Sequence, residues 1–348
     1  MENNEIYEIT IIGGGPAGLY SAFYAGLREM KTKVIEAQPD LGGKIQVYPE
    51  KVIWDVGGVG PITGAKLIQQ LKDQAMTFSP EIVLNEKIES ISKEQGLFLL
   101  KAASGRIHYS KSVVVAIGSG ILKPQKLKVD GAEKFEVSNL HYMVNSLKYF
   151  KHRTIVISGG GNSAIDWANA LEPVAKKVYL IHRRDCFSGH ESQVTQLMNS
   201  SVEFIFQSCI TNLIADQSRT SIEFVEITNQ DTGEIQRLPV DDVLVNHGFD
   251  QDASLLQNSE LEPSMVDDFY IAGTPTSETS VPGLFAAGDI LKHEGKLNLI
   301  AGTFQDAANA VNQAKQFIEP NATESAMVSS HNKVFSERNK ELILQFIN

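Results

Sequence analysis

The sequence is poor in the residues that would mark it as extracellular, metal-bound or nucleic-acid-binding. It has two cysteines in 348 residues, Cys186 and Cys209. They form no C-x-x-C pair and no metal-ligand spacing, and a reducing compartment disfavours a structural disulfide. Cationic residues are outnumbered. There are 31 Lys and Arg against 42 Asp and Glu, a formal net charge of −11. That balance argues against nucleic acid and against an anionic membrane surface, since both need a basic face. No apolar run is long enough to span a bilayer. The opening residues, "MENNEIYEIT", are acidic and pass straight into a strand-like segment. They lack the basic start and apolar middle of a signal peptide, so a cytoplasmic protein is expected. His182, His190 and His293 do not make a ligand set, and no metal is expected. What remains is a globular composition, 42% hydrophobic and 21% charged. The chain is long enough for two domains, each with its own core.

Two Gly-rich phrases dominate the sequence, "TIIGGGPAGLY" at 10–20 and "VISGGGNSAID" at 156–166. Gly13-x-Gly15-x-x-Gly18 follows an apolar run and opens a potential helix. Its glycines permit a tight turn, and the helix N-terminus offers free N–H groups to a pyrophosphate. The next strand ends at Glu36, a carboxylate placed to accept hydrogen bonds from ribose hydroxyls. It would repel a 2′-phosphate, which points to FAD or NAD at this turn. Gly159-x-Gly161-x-x-Ala164 repeats the pattern, with Asn162 and Ser163 inside it. Its second strand ends differently, at His182-Arg183-Arg184. Arginine there suits an adenosine 2′-phosphate through bidentate, charge-assisted hydrogen bonds. The two turns thus carry opposite signs at equivalent positions. A bound flavin at one and a pyridine nucleotide at the other would let a hydride pass between them. His182 joins the nucleotide-site residues in a structural rather than catalytic role.

The order strand, Gly turn, helix, strand occurs at 7–37 and again at 153–184, the spacing of right-handed βαβ units. Buried strands ending in glycine, "SVVVAIGSG" at 112–120 and "DVLVNHGFD" at 242–250, look like the crossings between domains. "GLFAAGDI" at 283–290 is a further strand, and "TFQDAANAVNQAKQFI" reads as an amphipathic helix. The fold class is α/β with two Rossmann-like FAD/NAD(P)-binding domains, the second inserted in the first. The FAD domain is placed at 1–117 and 279–348. The NADPH domain is placed at 118–278, its last part, beyond about 250, poorly defined.

These phrases resemble the two-dinucleotide-binding flavoproteins, and most closely the thioredoxin-reductase-like ferredoxin/flavodoxin–NADP⁺ reductases of bacteria. The likeness covers nearly the whole chain. It is carried by "EITIIGGGPAGL" at 8–19, "LGGKIQVYPEKVIWDVGG" at 41–58, "NLHY" at 139–142, "GGGNSAIDWA" at 159–168, "IHRRD" at 181–185 and "GDILKHEGKLNLI" at 288–300. It implies that Glu36, Lys44, Tyr48, Ile88, Leu122 and Asp289 contact FAD, with Tyr48 packed on one face of the isoalloxazine. It also implies a homodimer whose C-terminal tail covers the flavin, bringing Ser330 and a ring, His331. Tyr48 and His331 are therefore the catalytic candidates. Tyr48 could equally be a surface loop residue, and Ile88 and Leu122 plain core. Related reductases often have an Arg where Ser188 stands, which would leave the 2′-phosphate fewer cationic partners.

No cysteine pair lies beside either turn, so electrons cannot leave through a protein dithiol. A flavin can accept a hydride at N5 and release single electrons by way of its semiquinone. The implied activity is an FAD-dependent ferredoxin–NADP⁺ reductase using NADPH, with ferredoxin or flavodoxin as partner. The alternative is a reductase of the same fold acting on oxygen, a quinone or a thioredoxin-like protein. A non-enzymatic nucleotide sensor ranks third. Cys186 is not expected to be redox-active, and Cys209 in "VEFIFQSCI" reads as a buried small hydrophobe. An acidic carrier would need a local basic patch on this acidic chain, from Lys44, Lys51 or the cations of the tail.

Overall fold

The structure is a computed structural model and describes residues 5–120, 123–250, 252 and 254–347. The chain divides into two compact units. One comprises Met1–Ile121 with Gln251–Asn348, and the other comprises Leu122–Asp250.

The first unit opens with β1 (Ile6–Ile12), α1 (Pro16–Leu27) and β2 (Thr32–Ile35). Pro16 at the first helical position suits a helix start, because its missing N–H has no partner to lose. α1 then turns Ala17, Ser21, Ala22 and Ala25 inward, so small side chains let it lie close to its neighbours. α2 (Gly64–Ala75), β3 (Glu81–Val83), β4 (Ile88–Glu94), β5 (Leu97–Ala102) and β6 (Ile107–Val115) follow. β3, β2, β1 and β6 run parallel in that order, and β5 and β4 continue the sheet antiparallel. Val113, Val114 and Val115 are all fully buried. A strand covered on both faces needs such a continuous apolar run.

The second unit is contiguous. Its parallel sheet has β7 (Leu140–His141), β8 (Thr154–Ser158), β9 (Lys177–Ile181), β10 (Glu203–Ile205) and β14 (Asp242–Val245), in the order β7-β14-β8-β9-β10. Between β10 and β14 the chain builds an antiparallel sheet of β11 (Ser208–Ala215), β12 (Ile222–Asn229) and β13 (Ile235–Pro239). α3 (Asn162–Leu171) joins β8 to β9. It is shorter than the apolar pattern through Lys177 suggests. Glu172 keeps a helical backbone and its N–H still donates to Ala168, but Pro173 has no N–H to continue the ladder, so the helix stops at Leu171.

The first unit resumes earlier than the sequence reading places it. That reading extends the inserted domain to 278. Instead, Leu255, Leu256, Phe269 and Ile271 share a core with Ile12, Ile91, Val113 and Val115. All four are buried there, and the stretch from 251 accordingly groups with the first unit. β15 (Leu284–Ala286) pairs parallel with the C-terminal half of β6. α4 (Ile300–Ile318) lays Ala310, Val311 and Ala314 into the core that holds Ala22 and Ala25 of α1. It begins at Ile300 rather than Thr303. A last helix, α5 (Ser336–Ile347), has no buried residue.

Candidate functional site

Within the first unit, β1 delivers the chain to a turn at Gly13–Gly15, and α1 starts at once. Gly18, in the first turn of α1, lies against the Gly13 carbonyl. A Cβ there would come 1.8 Å from that oxygen, so only glycine lets helix and turn close together. Glu36, at the end of β2, is buried, and burial raises its carboxyl pKa. Its Oε2 accepts the Gly14 N–H at 2.6 Å and its Oε1 accepts the Gln38 N–H at 2.8 Å. The Ala37 N–H also bonds the carboxylate, and of its roughly four lone-pair sites one is left for a further donor, such as a sugar hydroxyl. Lys44 is exposed on a one-turn helix at Gly43–Val47. That segment is tied to the turn by the Gly42 N–H, which donates to the Gly14 carbonyl at 2.8 Å. Tyr48 follows, half-buried. Burial first, then the charges of Asp289 and Asp55, push its phenol up to about 12. Asp289 itself sits in a turn at Gly288–Ile290, just after β15.

So the structure brings the Gly13–Gly18 turn, Glu36, Tyr48 and Asp289 to one end of the first unit. It does not bring Ser330 and His331 there. Both are exposed, and the next residue, Asn332, is buried with its Nδ2 donating to the carbonyl of Leu27, the last residue of α1. Phe335 packs on Phe78 with ring centroids 5.4 Å apart. α1 has 12 residues. At about 1.5 Å per residue it separates the tail from the Gly-rich turn by roughly 18 Å. In one chain the tail therefore lies at the opposite end of α1 from Tyr48. Ile88 is 4% exposed, with its side chain in the core beside Ile91 and Leu100. Leu122 lies outside the described residues.

The second unit holds a cavity of about 1150 Å³. Its floor is the turn Gly159–Ser163, and its walls include His182, Arg183, Arg184 and His247. Ala164, next in α3, is fully buried. Gly160 is a close-approach glycine. A Cβ would come 2.2 Å from Nδ1 of His182. The imidazole thus occupies the space that any other residue would fill. Burial and the two neighbouring arginines lower the His182 pKa against the raising effect of the Cys186 backbone, and its buried Nε2 has no hydrogen-bond partner among the described residues. An unmatched buried nitrogen beside a turn of free N–H groups fits a site built for something polar. Arg183 and Arg184 are exposed and form no ion pair among the described residues. Asn162 and Ser163 are exposed on the first turn of α3. The Asn162 Oδ1 accepts the His190 N–H at 2.9 Å.

Two features of this cavity escaped the sequence reading. Ser188, read only as a missing arginine, braces the turn. Its N–H donates to the Gly160 carbonyl at 2.9 Å, and its hydroxyl reaches the same oxygen at 3.3 Å. His247 hydrogen-bonds the Ser158 hydroxyl at 2.9 Å, and burial, then Arg183, lower its pKa. Its signal was the strand exit "DVLVNHGFD", read only as a domain crossing. Cys209 is not the buried small hydrophobe expected from its run. It is half-exposed, lines the cavity, and its Sγ accepts from Nε2 of Gln230 at 3.1 Å. β11 is an edge strand, so its residues are not enclosed on both sides. Cys186 is exposed, and the Asp185 carboxylate raises its thiol pKa, the reverse of activation.

The family model for pyridine nucleotide-disulphide oxidoreductases matches residues 7–314. Ferredoxin–NADP reductase 1 of Bacillus mycoides is 64% identical over 348 residues, covering 100% of both chains. Ferredoxin–NADP reductase 2 of Exiguobacterium sibiricum is 62% identical, covering 100% of this chain and 99% of its own. The chain belongs to the pyridine nucleotide-disulphide oxidoreductases, in their ferredoxin–NADP reductase branch. It is an oxidoreductase. The fold is shared with the thioredoxin reductase of Lactococcus lactis, which superposes with a TM-score of 0.74 at 24% identity, covering 90% of this chain and 99% of that one. Thiol chemistry does not follow from that likeness, because Cys186 and Cys209 are both free and are the only cysteines in the chain.

Proposed function

We propose that this enzyme holds FAD at the first turn, takes NADPH at the second, and passes electrons to a one-electron carrier, ferredoxin or flavodoxin. The observation that carries the reading is the opposition of charge. A buried carboxylate, Glu36, is locked to the first turn, and two exposed guanidiniums, Arg183 and Arg184, with no carboxylate partner among the described residues, stand beside the second.

The chain's own residues supply binding and orientation. The N–H groups opening α1 and α3 face where pyrophosphates would lie, and the helix dipoles favour negative charge there. Glu36 accepts ribose hydroxyls, and Asp289 accepts from the ribityl chain. Tyr48 stays a neutral phenol at working pH, since its pKa is pushed up to about 12, and can pack against an aromatic ring without adding charge. Lys44 lies at the rim, exposed to a phosphate or to a partner. The side chain of Ile88 is enclosed, which leaves its backbone as the group that could touch a nucleotide. At the second turn, His182 and Ser188 hold the glycines in place, and the arginines take the 2′-phosphate. Flavin chemistry supplies the step from a two-electron donor to a one-electron acceptor.

The tail's position at the far end of α1 supports a homodimer, in which His331 and Ser330 cover the flavin of a second copy rather than their own. The reading places the enzyme in the cytoplasm, with NADPH and its carrier. The test is steady-state NADPH oxidation with ferredoxin, flavodoxin, thioredoxin and a quinone compared side by side. Turnover with ferredoxin or flavodoxin well above the others supports the proposal. Preference for thioredoxin or quinone, or a preparation that binds no flavin, overturns it.

A further inference from the structure

A buried charge cluster adjoins the turn that carries Asp289. Asp306, in the second turn of α4, is 5% exposed. Its Oδ2 accepts the Gly288 N–H at 3.0 Å, and the Lys296 ammonium pairs with the same oxygen. His293 Nε2 stands 3.7 Å from Oδ1. The backbone carbonyl of Asp306 accepts the hydroxyl of Ser277, which is fully buried, at 2.9 Å. The side chains of Lys296 and His293 are buried as well. One carboxylate therefore gathers the Gly288–Ile290 turn, the segment after it and α4.

Burying a carboxylate and an ammonium together stabilises a fold little, because desolvation offsets most of the attraction. The cluster's placement suggests another use. Gly288 is held on its other side by α1, where a Cβ would come 3.0 Å from that of Ala17, the residue after Pro16. Its peptide is thus fixed between the Gly-rich turn and Asp306, and Asp289 is the next residue.

We propose that Asp306 is a positioning residue that fixes the Gly288–Asp289 turn for the flavin, and that Lys296 is its obligatory counter-charge. This rests on the first turn holding FAD. The neutralised pair lets a rigid carboxylate orient the turn without adding net charge beside a group that must accept electrons. A bare negative charge there disfavours reduction, and a bare positive charge favours it.

The test uses the holoenzyme and three variants: Lys296→Met, Asp306→Asn and the double variant. FAD dissociation constants come from reconstitution of apoprotein, followed by flavin fluorescence. Midpoint potentials come from equilibration with a reference dye. Lys296→Met leaves the Asp306 carboxylate without its counter-charge beside the turn, and should raise the FAD dissociation constant and lower the potential. Asp306→Asn should raise the potential. The double variant, neutral and close in shape, should return the potential toward wild type and recover folding if either single variant is unstable. Shifts of the same sign in both single variants, or potentials and FAD affinities equal to wild type throughout, would overturn the inference. A wild-type protein that fails to bind FAD would instead overturn the reading on which it rests.

Discussion

Replacing Arg183 or Arg184 by alanine should cost the enzyme its preference for NADPH. Both guanidiniums line the cavity of the second unit and neither is paired with a carboxylate among the described residues, so their charge is available to an incoming anion. A hydrogen bond to a charged group contributes about 1.5–3 kcal/mol. Both side chains are exposed, which places each contact toward the lower figure through solvent and salt screening. At about 1.4 kcal/mol per tenfold, one lost arginine should raise KM for NADPH roughly tenfold. The pair are neighbours, so the double variant should lose less than the product of the two. NADH has no 2′-phosphate, and its KM should stay within about twofold. The assay is kcat/KM for both nucleotides in wild type and the three variants, at one fixed ionic strength. Repeating it at higher salt should shrink the NADPH effect and leave NADH alone. If Arg183→Ala and Arg184→Ala both keep the wild-type NADPH/NADH ratio, the arginines are a solvated strand end. The contrast between the two turns would then say nothing about cofactor choice.

Gly160→Ala should displace the His182 ring, lower Tm by several degrees through overpacking of about 1–3 kcal/mol, and weaken NADPH binding while leaving flavin content intact; equal Tm and KM would contradict the close approach. Glu36→Arg should purify with reduced flavin, because a buried carboxylate holding the Gly14 N–H is replaced by a bulky cation; full occupancy by absorbance would refute its role. His247 has a lowered pKa, so the native state binds fewer protons than the unfolded chain. Its contribution to stability is present above the unfolded value of about 6.5 and is lost as pH falls below it. Urea midpoints measured from pH 8 to pH 5 should fall less steeply in His247→Gln, and identical slopes would count against this. Deleting residues 327–348 should raise NADPH oxidation by oxygen while FAD stays bound; unchanged kinetics and spectrum would show that the tail covers nothing.

The two turns and their strands were legible because each depends on a local rule. A Gly-rich break between an apolar strand and a small-residue helix has few other meanings, and the sign of the next strand's end can be read directly. What the sequence concealed depends on long-range packing. Leu255, Leu256, Phe269 and Ile271 carry no mark of which unit they complete, and only their contact with Ile12 and Val113 assigns them. Ser188 looked like an absence because its value lies in one carbonyl, that of Gly160, reached across a loop. Cys209 sits in an apolar-looking run, yet an edge strand leaves it open to a cavity. The tail's register was unreadable because Asn332 and Phe335 are fixed by Leu27 and Phe78, far away along the chain.

The discontinuity of the first unit has a consequence for biosynthesis. The second unit is one unbroken stretch, and all its strand pairings close within it. It can complete its sheet as soon as residue 250 has emerged. The first unit cannot. β1, α1 and β2 emerge first, but β6 lacks β15 until residue 286, and α1 lacks α4 until residue 318. Contacts this far apart in sequence are slow to form, and an unfinished sheet exposes apolar surface in the meantime. During that interval the inserted unit is the only finished domain on the nascent chain. The Gly-rich turn that leaves the ribosome first is therefore the one whose seat is completed last.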